Sequence, residues 1–281
     1  FRKERRNLLM EISRALENEE FELYFQPQLR MADCQVIAFE ALIRWNHPEK
    51  GLITPDAFLP AVANSHLEIP LGQWVLKEAI HQMNRWREAG EALGVSINIS
   101  APHLMDRKFA DYLEGYLQSH PEVSPGQITL EVLESTALED TKRASNVLAR
   151  CQSLGLQVAL DDFGTGFSSL TYLRTLPVDV IKIDQSFVRN MLTDANDRAI
   201  VESVIFLAQR FDHPVLAEGV ETMDHAAALR DMGCNLVQGY GIARPMPSGE
   251  VLEWLQNWRR QVESRKEIQQ LQAASEQGEG I

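Results

Sequence analysis

An α/β barrel of the (β/α)8, TIM-like type, modified by an antiparallel first strand, is the architecture this sequence predicts. Three observations carry it: short β-rich runs alternate with stretches of helical spacing, the runs number eight, and 281 residues suit one such barrel. The runs are Phe21 to Leu29, Val36 to Trp45, Val95 to Ser100, Ile128 to Leu133, Gln157 to Asp161, Val180 to Asp184, Pro214 to Glu218 and Leu236 to Gly239. Helical spacing fills most of the intervals, at Leu71 to Ala89, Phe109 to Leu117, Thr141 to Leu154, Arg198 to Phe211 and Thr222 to Met232. Gly90, Gly94, Gly155 and Gly233 fall near the ends of these stretches, where helix stops are common. Only about six residues, centred on Met31-Ala32-Asp33, separate the first two runs, too few for a crossover helix, so this pair is expected as an antiparallel hairpin.

The ends differ in character. Residues 1–20 are charged and helix-forming and read as a connecting helix, 21–260 as the barrel, and 261–281 as a helical tail expected to fray through Ala273 to Gly278. No internal repeat or linker interrupts the barrel. A chain that opens on Phe1 reads as a domain cut from a longer protein that would carry regulatory domains and any membrane anchor.

With 44% hydrophobic and 24% charged residues, the chain has the composition of a folded globular domain. Its 40 acidic against 27 basic residues, a formal charge of −13, disfavour DNA or RNA duplexes and anionic membrane surfaces as partners. Bound divalent cations can invert that field locally. Cys34, Cys151 and Cys234 are odd in number and far apart, which fits a reduced, cytoplasmic setting better than a disulfide framework. No stretch approaches a membrane span.

In a barrel of this type the active site lies at the carboxyl ends of the strands. Run after run carries an oxygen ligand or an ion there: Gln26 and Gln28, Glu40, Asn98, Glu131, Asp161 with Asp162, Lys182, Glu218 and Gln238. Period-2 alternation puts Glu40 with Arg44, Ser96 with Asn98 and Ser100, and Lys182 with Val180 and Asp184 on single faces. Each group alone has a bland reading as a solvated carboxylate or a satisfied ion pair. Seven consecutive runs, the second to the eighth, doing so together is hard to explain by packing, because carboxylates gathered at one mouth repel unless cations join them. An all-oxygen set suits Mg²⁺ or Mn²⁺, and the adjacent Asp161 and Asp162 suggest two ions roughly 3.5–4 Å apart, the arrangement used in phosphoryl-ester hydrolysis. The following Phe163-Gly164-Thr165-Gly166-Phe167-Ser168-Ser169-Leu170 reads equally as a tight turn or a lid. Trp74, Trp86 and Trp254 read as packing groups, and the histidines as structural, with His47 a weak site candidate because it follows Arg44 closely.

Several of these segments, in order, resemble the EAL-domain family of cyclic di-GMP phosphodiesterases. They are Gln26-Pro27, Phe39 to Trp45 (FEALIRW), Asn98-Ile99-Ser100, Leu130 to Ser135 (LEVLES), Asp161 to Leu170 (DDFGTGFSSL), Lys182-Ile183-Asp184, Ala217 to Thr222 (AEGVET), Gln238-Gly239-Tyr240 and Arg244-Pro245. The resemblance implies hydrolysis of cyclic di-GMP to linear pGpG with two Mg²⁺ or Mn²⁺ ions, in a homodimer. It assigns a first ion to Glu40, Asn98, Glu131 and Asp161, and a second to Asp161 and Asp162. Glu218 would ligate an ion or orient its water, Lys182 would sit beside the nucleophilic water, and Gln238 would hydrogen-bond near the site. Gln26, Arg44 and Asp184 would contact the dinucleotide, Arg44 at a phosphate, while Glu134 and Glu221 would anchor the loop after Asp162. Leu133 stands where the family usually has Thr, and Met31-Ala32-Asp33-Cys34 is an uncommon first hairpin. The competing expectation is a receptor that binds cyclic di-GMP without cleaving it and signals to a partner protein. Members of that kind typically lose metal ligands or the loop motif, and this sequence keeps both.

Overall fold

The computed structural model describes residues 2–165 and 173–278, excluding the side chains of 138, 139 and 267–278. Ten strands form one sheet: β1 (Phe21–Arg30), β2 (Gln35–His47), β3 (Gly51–Ile53), β4 (Gly94–Ile99), β5 (Ile128–Leu133), β6 (Gln157–Phe163), β7 (Val180–Ile183), β8 (Val215–Ala217), β9 (Leu236–Val237) and β10 (Met246–Pro247). Eight of them close a ring in the order β1-β9-β8-β7-β6-β5-β4-β2, completed by β1 pairing with β2, while β3 and β10 add outer edges. Strand β1 runs antiparallel to both ring neighbours, and every other ring pairing is parallel. The expected hairpin and barrel are therefore both present.

Helix α1 (Arg2–Glu17) precedes the barrel and buries Ile12 and Ala15. Its Arg5 donates to the carbonyls of Ala61 and Ala63 at the end of α2 (Pro55–Val62). Helices α3 (Glu68–Glu88), α4 (Ala101–Leu104), α5 (Phe109–Gln118), α6 (Glu134–Glu139), α7 (Thr141–Ser153), α8 (Gln185–Asn190), α9 (Ala195–Arg210) and α10 (Met223–Asp231) lie between strands. Helix α11 (Val251–Gly278) follows β10. Gly90, Gly155 and Gly233 end helices with positive φ, but Gly94 is the first residue of β4, not a helix stop. A Cβ there would approach the Ile37 carbonyl at 3.1 Å, which explains the glycine.

The apolar core lies outside the ring, between strands and helices. Phe39, Ala41, Ile43 and Trp45 of β2, Val95, Ile97 and Ile99 of β4, and Ile128, Leu130 and Val132 of β5 are buried outward at alternate positions. Period-2 geometry then turns Glu40, Ser96, Asn98, Thr129 and Glu131 toward the barrel axis. Trp86 of α3, 1% exposed, seals one such contact, its ring 4.8 Å from Phe25 and 5.8 Å from Phe39. Trp74 and Trp254 pack on Phe21 and Phe39, so all three tryptophans are structural as expected. No described helix is long and apolar enough to cross a membrane. Trp86→Ala is predicted to destabilise the fold by about 3–5 kcal/mol, the scale of deleting a buried indole, read from urea unfolding. A loss below about 1 kcal/mol would show that α3 is not a keystone of the core.

Candidate active site

The inward parity of β2, β5, β6 and β7, with Glu218 just after β8, brings four carboxylates to one ammonium. Lys182 Nζ, on a side chain 1% exposed, lies 2.6 Å from Glu131 Oε2, 2.8 Å from Glu218 Oε1, 3.4 Å from Asp161 Oδ1 and 3.8 Å from Glu40 Oε2. Asn98 Nδ2 donates to Glu40 Oε1 at 2.7 Å, which leaves Asn98 Oδ1 as its atom open to a cation. Gln238 donates to Glu40 Oε2 at 2.6 Å and to Gln26 Oε1 at 3.0 Å.

Asp162 follows Asp161 with φ of +55°, a left-handed conformation that Asp tolerates and that swings its carboxylate away from the strand direction. Its backbone N–H donates to Asp161 Oδ1 at 2.9 Å. One oxygen each from Asp161, Asp162 and Glu218 converge within 4.8 Å of one another, with no His or Cys among them. That donor set fits a hard divalent cation. Glu40 and Glu131 border the same cluster and pair with Lys182, and Asn98 joins it through its bond to Glu40.

Charge balance explains the titration of the group. Burial alone would lower Lys182, but Glu131, Glu218, Glu40 and Asp161 more than compensate and hold it protonated, well above the usual lysine range. Burial opposes ionisation of Glu40, yet Lys182 and the hydrogen bonds from Asn98 and Gln238 keep it below the usual carboxylate value. Glu131 goes the other way: burial and the Glu40 charge outweigh its short contact to Lys182 and raise it well above normal. Burial, with Asp161 and Glu40, pushes Glu218 up to about 8. Burial, Asp161 and a hydrogen-bonded Asp184 push Asp162 up to about 7. One ammonium cannot balance so many carboxylates, so the cluster retains protons on Glu131, Glu218 and Asp162 that an unburied carboxylate would lose.

A cleft of about 310 Å³ opens beside the cluster, with Gln26, Glu40, Arg44, Glu218, Gln238 and Tyr240 in its wall. Arg44 lies over the Tyr24 ring at 5.1 Å and donates to its neighbour's carbonyl at Ile43. Asp184, expected at the substrate, caps α8 through the Ser186 N–H and faces Asp162. Glu134 Oε2 accepts the Gly164 N–H at 3.1 Å, where φ is +100°, so the start of the loop is tied to α6 even with Leu133 beside it. Gly166, Phe167, Ser168, Ser169 and Leu170 lie outside the described residues. Glu221 pairs with Arg189 at 3.0 Å on the cleft wall, a contact sequence reasoning did not anticipate. His47 is not part of this cluster: its Nδ1 accepts the N–H groups of Glu49 and Lys50, and its Nε2 lies 3.5 Å from Glu11 Oε2. Sequence reasoning also left Gln28 without a role, although its inward parity was legible.

Glu218 and Asp162 bind protons in the folded chain at pH values where the unfolded chain has lost them. Stability without metal should therefore fall as pH rises from about 5 to about 8. Melting in EDTA across that range is the check, with added Mg²⁺ raising Tm most at the alkaline end; a metal-free Tm that climbs with pH would contradict this charge balance.

Comparison with known proteins places the chain in a family. The family model described as the EAL domain matches residues 10–245. The bifunctional diguanylate cyclase/cyclic di-GMP phosphodiesterase MucR of Pseudomonas aeruginosa is 38% identical over 250 residues, covering 89% of this chain and 36% of MucR. The cyclic di-GMP phosphodiesterase PdeR of Escherichia coli is 38% identical over 248 residues, covering 88% of this chain and 37% of PdeR. The chain thus spans well under half the length of these curated relatives. Among solved structures, the PaMucR phosphodiesterase in its c-di-GMP complex aligns with a TM-score of 0.84 and 37% identity, over 87% of this chain and 99% of that one. The EAL enzyme Bd1971, in a form with cAMP and cyclic di-GMP bound, gives 0.83 and 34%, over 90% and 69%. On its sequence, its barrel and these relatives together, the chain belongs to the EAL domain family.

Proposed function

We propose that this chain is a phosphodiesterase that hydrolyses cyclic di-GMP to linear pGpG with two divalent cations, Mg²⁺ or Mn²⁺. The observation that carries the reading is the excess of buried carboxylates around Lys182 beside an open cleft. Relatives named as cyclic di-GMP phosphodiesterases, and a related domain solved with c-di-GMP, support the substrate. Glu40, Asn98, Glu131 and Asp161 would hold one ion, and Asp161 with Asp162 the other, with Glu218 on an ion or its water. Two such ions, when bound, would lower the pKa of a bound water and neutralise charge developing on the attacked phosphate.

In the metal-free chain its carboxylate neighbours hold Lys182 protonated. Beside the attacking water it would serve as a fixed charge and hydrogen-bond donor. Gln238 orients Glu40 and the near edge of the cleft. Gln26 and Arg44 face the dinucleotide from the cleft wall, Arg44 with a guanidinium suited to a phosphate. Asp184 takes part through Asp162, and Glu134 and Glu221 hold the surrounding loop and wall. A cytoplasmic domain fused to regulatory partners, acting as a homodimer, completes the proposal; the greater length of the relatives supports the fusion.

Chromatography of products after incubation with cyclic di-GMP tests the reading. pGpG should form with Mg²⁺ or Mn²⁺, vanish with EDTA and return when metal is restored; binding without turnover would favour a receptor. Lys182→Ala should keep metal and substrate binding while kcat falls roughly 10²-fold or more, whereas Glu40→Ala should lose metal affinity along with rate. Wild-type turnover in both variants would refute the site. Activity per subunit should also fall as a dilution series dissociates the dimer, and a flat profile beside sedimentation would separate catalysis from assembly.

A further inference from the structure

Alongside the carboxylates runs a chain of neutral side chains whose direction is determined at every link. Gln26 Nε2 donates to the Ala243 carbonyl at 3.1 Å, so Gln26 Oε1 is the atom that accepts from Gln238 Nε2 at 3.0 Å. The second hydrogen on Gln238 Nε2 goes to Glu40 Oε2, which leaves Gln238 Oε1 to accept from Gln28 Nε2 at 3.1 Å. Gln28 Nε2 gives its other hydrogen to Glu131 Oε1 at 3.3 Å, and Gln28 Oε1 accepts the Ser96 hydroxyl at 3.3 Å. The Ala243 carbonyl, which cannot donate, sets the orientation of Gln26 and, through it, of Gln238 and Gln28, so no link can be flipped without stranding a buried group.

Gln28 is 4% exposed and is absent from the cleft wall. It lines a separate cavity of about 260 Å³ toward the amino-terminal end of the barrel, together with Ser96, Thr129, Glu131 and Lys182. Gln28 thus reaches the cluster from the side opposite the substrate. Glu131 is gripped at both oxygens, Oε1 by Gln28 and Oε2 by Lys182, which fixes the plane of its carboxylate.

We infer that Gln28 is a positioning residue for the hydrolytic site, aiming Glu131 and Gln238, and that Ser96 aims Gln28 in turn. The inference rests on the hydrolase reading above. Partners of this kind behind a ligand affect rate and metal affinity more than substrate binding.

The test compares wild type, Gln28→Met, Ser96→Ala and Ser96→Thr by steady-state kinetics with cyclic di-GMP, by Mn²⁺ binding followed with electron paramagnetic resonance, and by thermal melting. Gln28→Met keeps length and loses the amide; kcat and Mn²⁺ affinity should each fall about 10-fold or more, with KM within about twofold of wild type. Ser96→Ala should lose part of both in the same direction, and Ser96→Thr, which restores a hydroxyl next to the cavity, should recover most of that loss. A folded Gln28→Met with wild-type kcat and Mn²⁺ affinity overturns the inference; should it fail to fold, Ser96→Ala with wild-type values does so. If wild type does not cleave cyclic di-GMP yet Gln28→Met still weakens Mn²⁺ binding, the hydrolase reading falls and with it the role in hydrolysis, while the aiming of Glu131 as a metal ligand stands.

Discussion

The buried Lys182 ammonium is the charge on which the arrangement of the site depends. Burying an ion is costly unless partners surround it, and here Glu131, Glu218, Asp161 and Glu40 all lie within 4 Å. Burial, with the surplus of negative charge beside it, pushes Glu218 and Asp162 up to about 8 and about 7. Neither state is balanced by the chain alone. Such a site is electrostatically complete only with added cations, and that incompleteness is what makes it a candidate for metal-assisted chemistry.

The rest of the fold can be read as the means of holding this imbalance. Most barrels of this class fill their interior with branched apolar side chains. Here the apolar positions of β2, β4 and β5 face outward onto the helices, with Trp86 closing over Phe25 and Phe39, while polar side chains turn inward. Stability is thereby supplied outside the ring and chemistry is confined within it. The antiparallel β1 contributes Gln26 and Gln28 to the interior, where they join strands β4 and β5 and the residue after β9 through side-chain hydrogen bonds, and Gln238 carries the link on to Glu40 of β2.

Much of this was legible in the sequence because parity and strand ends are local properties. Alternation along Phe39 to Trp45 separates Glu40 and Arg44 from the core, and a gap of about six residues dictates a hairpin. Other features depend on distant partners. Gln28 meets Ser96, Glu131 and Gln238 across separations of 68, 103 and 210 residues, so its inward parity was visible but its role was not. Strands β3 and β10, three and two residues long, exist only through pairing with β2 and β1 and carry no pattern of their own. Gly94 resembled a helix stop because the close approach of the Ile37 carbonyl comes from another strand. The pairing of Glu221 with Arg189 is likewise tertiary.

The central claim is that two divalent cations supply the charge this cluster lacks. Titration of metal-free protein with Mn²⁺, followed by electron paramagnetic resonance, tests it most directly, because two ions held close together give a spin-coupled spectrum that separate ions do not. The account predicts two ions per chain at saturation with that coupled signature, and loss of the coupling in Asp161→Asn. Saturation at one ion or none, or an uncoupled spectrum at two, would contradict it.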